Sequence, residues 1–349
     1  MRRFVWTAVL LEICSKFLIF QAHATIDASL QMQLGNPSDA IVDTNNHAHY
    51  LIQRTVEAID YSDNLGEAVW ASWDLTAGDV GGSGRSTTYV TDTNLPPNFY
   101  RVTTTDYNGV GTNLFNRGHL CPSDDRTDTT NDNKLVFFMS NIMPQSALNN
   151  QGVWGNFEDY CRSLLTTNEL LIICGPSGFG TRTIPSGKAY IGSNTWKVVV
   201  AVPLGAGTAA SRITTATRVI AISVPNVTNG LSSTWQTYVI SPQQIESDTG
   251  FTFFTALNPN LAGVLRTKVD GVASPTNPLP KFQSIQFAAG QISLVVTGAV
   301  ATYTISVTTN LANPQWLTLL TTNYPTTPFT FIDTNAAMPQ RFYRVQTDP

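Results

Sequence analysis

Arg117, Gly118 and His119 stand in consecutive positions in a chain with only 4 histidines. On an extended segment Arg117 and His119 point the same way, because side chains alternate along a strand. An imidazole beside a guanidinium suits phosphoryl chemistry. The first takes a proton from water, and the second neutralises charge on phosphoryl oxygens. Gly118 between them leaves room for a bulky ligand to approach the backbone. Asp124 and Asp125 read as a loop-fixing hydrogen-bond network, and Arg126 as a partner for them or for a phosphate. Short tripeptides of this kind recur by chance, so the rest of the chain decides their weight.

A second constellation lies downstream. Asn150, Trp154, Glu158 and Arg162 recur at every fourth position, which on a helix makes one slowly drifting stripe. Such a stripe is either the wall of a site or a solvated face carrying a Glu158–Arg162 ion pair of little energy. A rise of ~1.5 Å per residue separates Asn150 from Glu158 by ~12 Å along the axis. That is too far for both to ligate one ion directly. Asn150 on the ion and Glu158 on a water of its shell satisfies the spacing. One neutral ligand and many waters suit Mg²⁺, which sheds water reluctantly.

The elements that must hold these residues are legible in outline. "YLIQRTVEAIDYS" and "EAVWASWDL" read as an antiparallel pair around the turn "DYSDNLG". The stretch 81–98 is a Gly/Pro-rich connection. "KLVFFMSNIMPQ" reads as a strand from Lys134 ending at Pro144. The helix follows, with Trp154 and Phe157 as core residues. "NELLIICGPSG", "TWKVVVAVPL" and "RVIAISVPN" are three further strands, and Ser241-Pro242 signals a helix start. Three prolines in 271–282 mark a linker. Short alternating strands with regular turns fill 283–349, the pattern of a small β-sandwich.

Bulk properties narrow the setting. Charged residues are 13% of the chain, well below the ~25% usual for soluble proteins. Arg2 and Arg3, the mostly apolar Phe4–Phe20 and the Ala22-His23-Ala24 pattern read as an export signal over residues 1–24. Secretion or a periplasmic location is therefore expected, and no later stretch is apolar enough to span a bilayer. Without the signal, the chain is more acidic than the overall −4. A general electrostatic grip on nucleic acid is excluded, so any polyanion site must be local. Cys121, Cys161 and Cys174 fit no zinc spacing. A Cys161–Cys174 bridge is favoured, with Cys121–Cys161 or buried free thiols as alternatives. His47 and His49 read as a solvated turn.

"NRGHLCPSDDRTDT", "MSNIMPQSALNNQGVWGNFEDYCR", "ELLIICG" and "ISPQQIESDTGFTFFTALN" together resemble the DNA/RNA non-specific endonuclease family. These are the ββα-metal, or His-Me finger, nucleases of the Serratia nuclease and endonuclease G type. The resemblance covers roughly residues 40–270. It implies an α+β fold for 25–270, with a central antiparallel sheet flanked by helices. It implies His119 as the general base, Arg117 as the motif arginine and Asn150 as the direct Mg²⁺ ligand, with Mn²⁺ as a substitute. Glu158 is then the acid that orients a water of the metal's shell, Asn141 the asparagine beside the histidine, and Arg162 the arginine one turn beyond the acid. Arg85 is the nearest match for an upstream transition-state arginine, although its spacing to Asp92 needs a gap.

The family's motif usually begins with Asp, and this chain has Asn116. The implied reaction is hydrolysis of DNA and RNA phosphodiesters, with little sequence preference, to 5′-phosphate and 3′-hydroxyl ends. Arg85, Arg117 and Arg126 are the expected substrate contacts. The C-terminal module resembles fibronectin-III-like modules of exported bacterial proteins, carried by "YTISVTTNLANPQWLTL" and "RFYRV". The competing expectation is a catalytically weak secreted protein that binds nucleic acid or a surface on the same fold.

Overall fold

Two apolar runs in the middle of the chain organise the sheet. Leu170, Ile172 and Cys174 pack to one side of it, and Leu171 and Ile173 to the other. A strand covered on both faces has no solvent side to alternate with, so it reads as a continuous apolar run. A computed structural model describes residues 28–111, 114–271, 280–298, 302–322, 328–335 and 340–347. The expected export signal and most of the expected proline-rich linker lie outside the described residues.

In chain order the strands up to residue 271 are β1 (Tyr50–Gln53), β2 (Ala58–Ser62), β3 (Glu67–Leu75), β4 (Phe115–His119), β5 (Ile142–Ser146), β6 (Asn168–Ser177), β7 (Asn194–Pro203), β8 (Arg218–Pro225) and β9 (Val239–Ile240). Seven of them form one sheet in the order β1-β2-β3-β6-β7-β8-β9. Every pairing in it is antiparallel. β4 and β5 pair separately, with His119 opposite Ile142. The helices are α1 (Thr130–Leu135), α2 (Gly155–Ser163), α3 (Ala209–Arg212), α4 (Pro242–Thr249) and α5 (Pro259–Arg266).

Each face of the sheet carries its own core. On one, Trp73, Ile172 and Val199 pack against Trp154, Phe157 and Cys161. On the other, Trp70, Ile173 and Val198 meet Ile245 of α4, Phe253, Phe254 and Leu265 of α5. α4 starts as the sequence signalled: the Ser241 side chain accepts from Gln244 N, Pro242 fills the first turn, and left-handed Gly250 ends it. The fold is the expected α+β arrangement of an antiparallel sheet between helices.

Two strand assignments need correction. "YLIQRTVEAIDYS" is two strands, because Arg54 N turns back to Glu57 O at 2.8 Å and splits β1 from β2. "KLVFFMSNIMPQ" is not one strand. The Thr129 side chain caps α1 by accepting from Asp132 N, a 3-10 turn covers Met139–Asn141, and only Ile142 onward extends. Val136, Phe137 and Met139 are buried in that irregular segment, so their apolar character reported burial and not a strand.

Beyond residue 280 the chain forms β10 (Lys281–Ala288), β11 (Gln291–Thr297), β12 (Tyr303–Thr308), β13 (Leu317–Thr322), β14 (Phe329–Asp333) and β15 (Phe342–Thr347). They make two three-stranded sheets, β10-β11-β14 and β13-β12-β15. Leu294, Val296 and Ile305 form a small core with Phe282, Phe331 and Tyr343 around it. Among the described residues no helix is long and apolar enough to cross a membrane.

Candidate active site

The β4–β5 ladder and α2 supply the two sides of a cleft of about 780 Å³. Phe115, Arg117 and His119, alternate residues of β4, all line it. Gly118 turns the other way. A Cβ there would lie 2.2 Å from Gln145 Oε1 on the paired strand. The glycine is therefore required by packing inside the ladder, which corrects the expectation that it clears space for a ligand. Asn141 is buried beneath the cleft and does not line it. Its Oδ1 accepts from Cys121 N at 3.0 Å, and its Nδ2 donates to Cys121 O at 2.9 Å and Val136 O at 2.8 Å. It pins the chain just past His119, the work of a positioning residue.

His119 is 7% exposed. Phe137 packs edge-on at 4.7 Å and Tyr89 lies at 5.5 Å. Its Nε2 is buried with no hydrogen-bond partner. Burial first, then the charges of Arg85 and Arg117, pull its pKa from 6.5 down to about 3. Arg117 stacks on Tyr89 at 4.3 Å, and Arg85 lies 5.3 Å over Phe137. Arg85 Nη1 also stands 3.7 Å from exposed Asp124. The awkward spacing of Arg85 did not keep it from the histidine. Asp92 is committed elsewhere, buried against Arg54 and Ser140.

The helical side departs from a regular stripe. Asn149–Trp154 is a wide π-type turn, kinked at Gly152 (φ −106°, ψ −105°) before α2 begins. Asn150 Nδ2 and Gln151 Nε2 both donate to Asn116 Oδ1, at 3.1 and 2.9 Å. Glu158 lines the cleft, and its Oε1 accepts from Lys197 Nζ at 3.1 Å. Lys197 is buried on β7 between the Trp154 ring at 4.4 Å and the Trp73 ring at 5.4 Å. Burial raises the Glu158 pKa, and the Lys197 charge opposes the rise.

The comparisons with known proteins agree with this geometry. The model of the family described as DNA/RNA non-specific endonuclease matches residues 36–260. This chain belongs to that family. A nuclease from Nostoc sp. is 38% identical over 243 residues, 69% of this chain and 86% of the relative. Mitochondrial endonuclease G of Bos taurus is 36% identical over 93 residues, only 27% of this chain and 30% of its own length. The solved EndoG of an EndoG/EndoGI complex superposes with a TM-score of 0.56 at 19% identity, covering 69% of this chain and 96% of that one. At that identity it shows the fold alone. The protein is a nuclease with DNA and RNA as its class of substrate.

Several expected parts of this endonuclease fall elsewhere. Arg162 is not on the cleft: it bonds Asp125 at 2.8 Å and Asp159 at 2.6 Å, so no Glu158–Arg162 pair forms. Asp125, which also accepts from Trp73 Nε1 at 3.1 Å, anchors the loop as expected. Arg126 is not a substrate contact. It is 2% exposed and donates to Val56 O, Asp74 O and Asp125 O, leaving no donor face for a phosphate. The Cys161–Cys174 and Cys121–Cys161 bridges are absent: all three thiols are buried and free. His47 and His49 pair with Asp63 and Asp60 at 2.6 and 2.7 Å. Lys197 was missed, although one charge inside "TWKVVVAVPL" must find a partner if the run is buried. The opposite wall of the cleft, Thr104 and Tyr107–Gly111, gave no periodic or motif signal at all.

The donor set fits a hard divalent cation. Among the described residues no group of three or more His, Cys, Asp or Glu could hold a metal. The Asn150 amide gives its nitrogen to Asn116, which leaves Oδ1 uncommitted. Glu158 gives one oxygen to Lys197 and keeps the other. Oxygen donors of this kind suit Mg²⁺ or Mn²⁺.

Proposed function

We propose that this endonuclease is an exported enzyme that hydrolyses DNA and RNA phosphodiesters with Mg²⁺, leaving 5′-phosphate and 3′-hydroxyl ends. The observation that carries the reading is His119, neutral and with an unpartnered Nε2, on one cleft with Arg85, Arg117, Asn150 and Glu158. Asn150 Oδ1 would hold the ion directly and Glu158 would hold it through a water. Held there, an ion would supply positive charge that stabilises the phosphoryl group under attack.

The protein's own residues do the rest. Arg85 and Arg117 bind the phosphate and neutralise charge that develops on it. His119 accepts the proton of the attacking water. Burial first, and then the charges of Arg85 and Arg117, hold its basicity down. A bound phosphate offsets the two charges and so restores part of that basicity. Contacts through the backbone phosphate carry no sequence information, and the phosphate is common to DNA and RNA, so cleavage of both with little sequence preference is expected.

Supercoiled plasmid and a structured RNA, incubated with Mg²⁺, Mn²⁺ or EDTA and followed by end-group analysis, test the reading. Nicking of both with Mg²⁺, none with EDTA, and ligatable 5′-phosphate ends are expected. Cleavage that persists in EDTA would overturn it. Export is tested by N-terminal sequencing of the protein recovered from outside the cytoplasm, with a start just after Ala24 expected.

A further inference from the structure

Asn116 stands where the family's motif usually carries an acid, and its amide oxygen does two things at once. It accepts from Asn150 Nδ2 at 3.1 Å and from Gln151 Nε2 at 2.9 Å. Adjacent residues of a regular α-helix diverge by about 100°, so their side chains do not converge on one acceptor. Here both residues sit in the wide turn Asn149–Trp154, and such turns gather at functional sites. Asn116 is out of alternation with Arg117 and His119 on β4, yet it lines the same cleft, together with Asn150 and Gln151.

An amide has two ends that look alike in size and differ in chemistry. If Asn150 flipped, its nitrogen would face the cation and repel it. An acceptor on Nδ2 disfavours that flip, because a flipped Asn150 amide would set oxygen against oxygen unless the Asn116 and Gln151 amides turned with it. Resting on the assignment of Asn150 as the direct ligand, we infer that Asn116 is a positioning residue for the metal. It fixes which end of the Asn150 amide faces the ion, with Gln151 as a second tie on the same acceptor. Groups that orient a metal ligand in this way are worth roughly 10–100-fold in metal affinity. A neutral oxygen is enough for the orientation. A carboxylate at 116 would keep it, strengthen both hydrogen bonds and add attraction for the ion.

Mn²⁺ titrations of the purified protein, without substrate, read this directly by calorimetry or by loss of the free-ion magnetic resonance signal. Asn116→Leu keeps the branched outline of the side chain and removes the acceptor. It should weaken Mn²⁺ binding about tenfold or more. A merely structural fault would lower the active fraction and leave the affinity of the remainder unchanged. Asn116→Asp should bind Mn²⁺ more tightly than the wild type. Wild-type affinity in Asn116→Leu overturns the inference. If that variant does not fold, weaker binding in Asn116→Asp overturns it. Asn150→Ala separates the two levels: undiminished Mn²⁺ binding there means that the ligand assignment itself has failed.

Discussion

Within one short motif, the strand half Phe115–His119 and the turn half Leu120–Arg126 treat the same residue type in opposite ways. Arg117 stacks on Tyr89 at 4.3 Å and lines the cleft. Arg126, nine positions on, has its donors taken by Val56 O, Asp74 O and Asp125 O in the core. The strand half leaves polar groups uncommitted, Nε2 of His119 above all. The turn half satisfies its own: Asp125 holds Trp73 and Arg162, and Cys121 is held by Asn141. A polar group left unsatisfied inside a fold costs stability, and enzymes keep such groups where they act on substrate.

That contrast predicts which variants lose structure and which lose activity. The largest effect falls on the turn half. Arg126→Met strands three buried carbonyls and should lower unfolding free energy by about 3–5 kcal/mol. Denaturant melts would show it, and the molecules still folded should cut at the wild-type rate. Next is Arg117→Ala, which removes one cation from the phosphate. Its rate should fall about 10²-fold with unfolding free energy within about 0.5 kcal/mol of wild type. A stability loss as large as that of Arg126→Met would erase the distinction between the halves.

The third effect is on pH dependence. Because the folded His119 pKa is pulled to about 3 from 6.5, the unfolded chain binds the proton first as pH falls. Its contribution is complete above about pH 6.5 and is lost progressively down to about pH 3. Wild type should therefore lose stability relative to His119→Ala on acidification, by on the order of 1 kcal/mol per pH unit. Parallel stability curves would contradict the burial of the neutral ring. The smallest effect belongs to Asp124, an exposed acid 3.7 Å from Arg85. Asp124→Asn should leave stability within about 0.5 kcal/mol. It should tighten substrate binding slightly at low salt, an effect that fades as salt screens the charges.

What was legible in the sequence follows the same physics. β6 and β7 announced themselves because burial on two faces makes each a nearly continuous apolar run, with Lys197 the one charge inside β7. Trp154 and Phe157 were core residues as read, both about 1% exposed or less. His119, Asn150 and Glu158 do share a cleft. Regular helical spacing did not bring them there, because the Gly152 kink breaks the stripe. Arg126 and Arg162 misled because an arginine in a motif looks the same whether its donors face a phosphate or backbone carbonyls. The Cys161–Cys174 bridge failed for a related reason: burial alone accounts for three free thiols. The wall at 104–111 depends on how a connecting loop packs against distant residues, and no local pattern encodes that.

The central claim is that the strand half does the chemistry and that His119 is the group that moves the proton. The most direct measurement is the single-turnover rate of plasmid cleavage by His119→Ala and wild type at saturating Mg²⁺, with a thermal melt of each. The account predicts a fall of about 10²–10⁴ in rate with a melting temperature at neutral pH no lower than that of wild type. Cleavage by a folded His119→Ala variant at near the wild-type rate would contradict it.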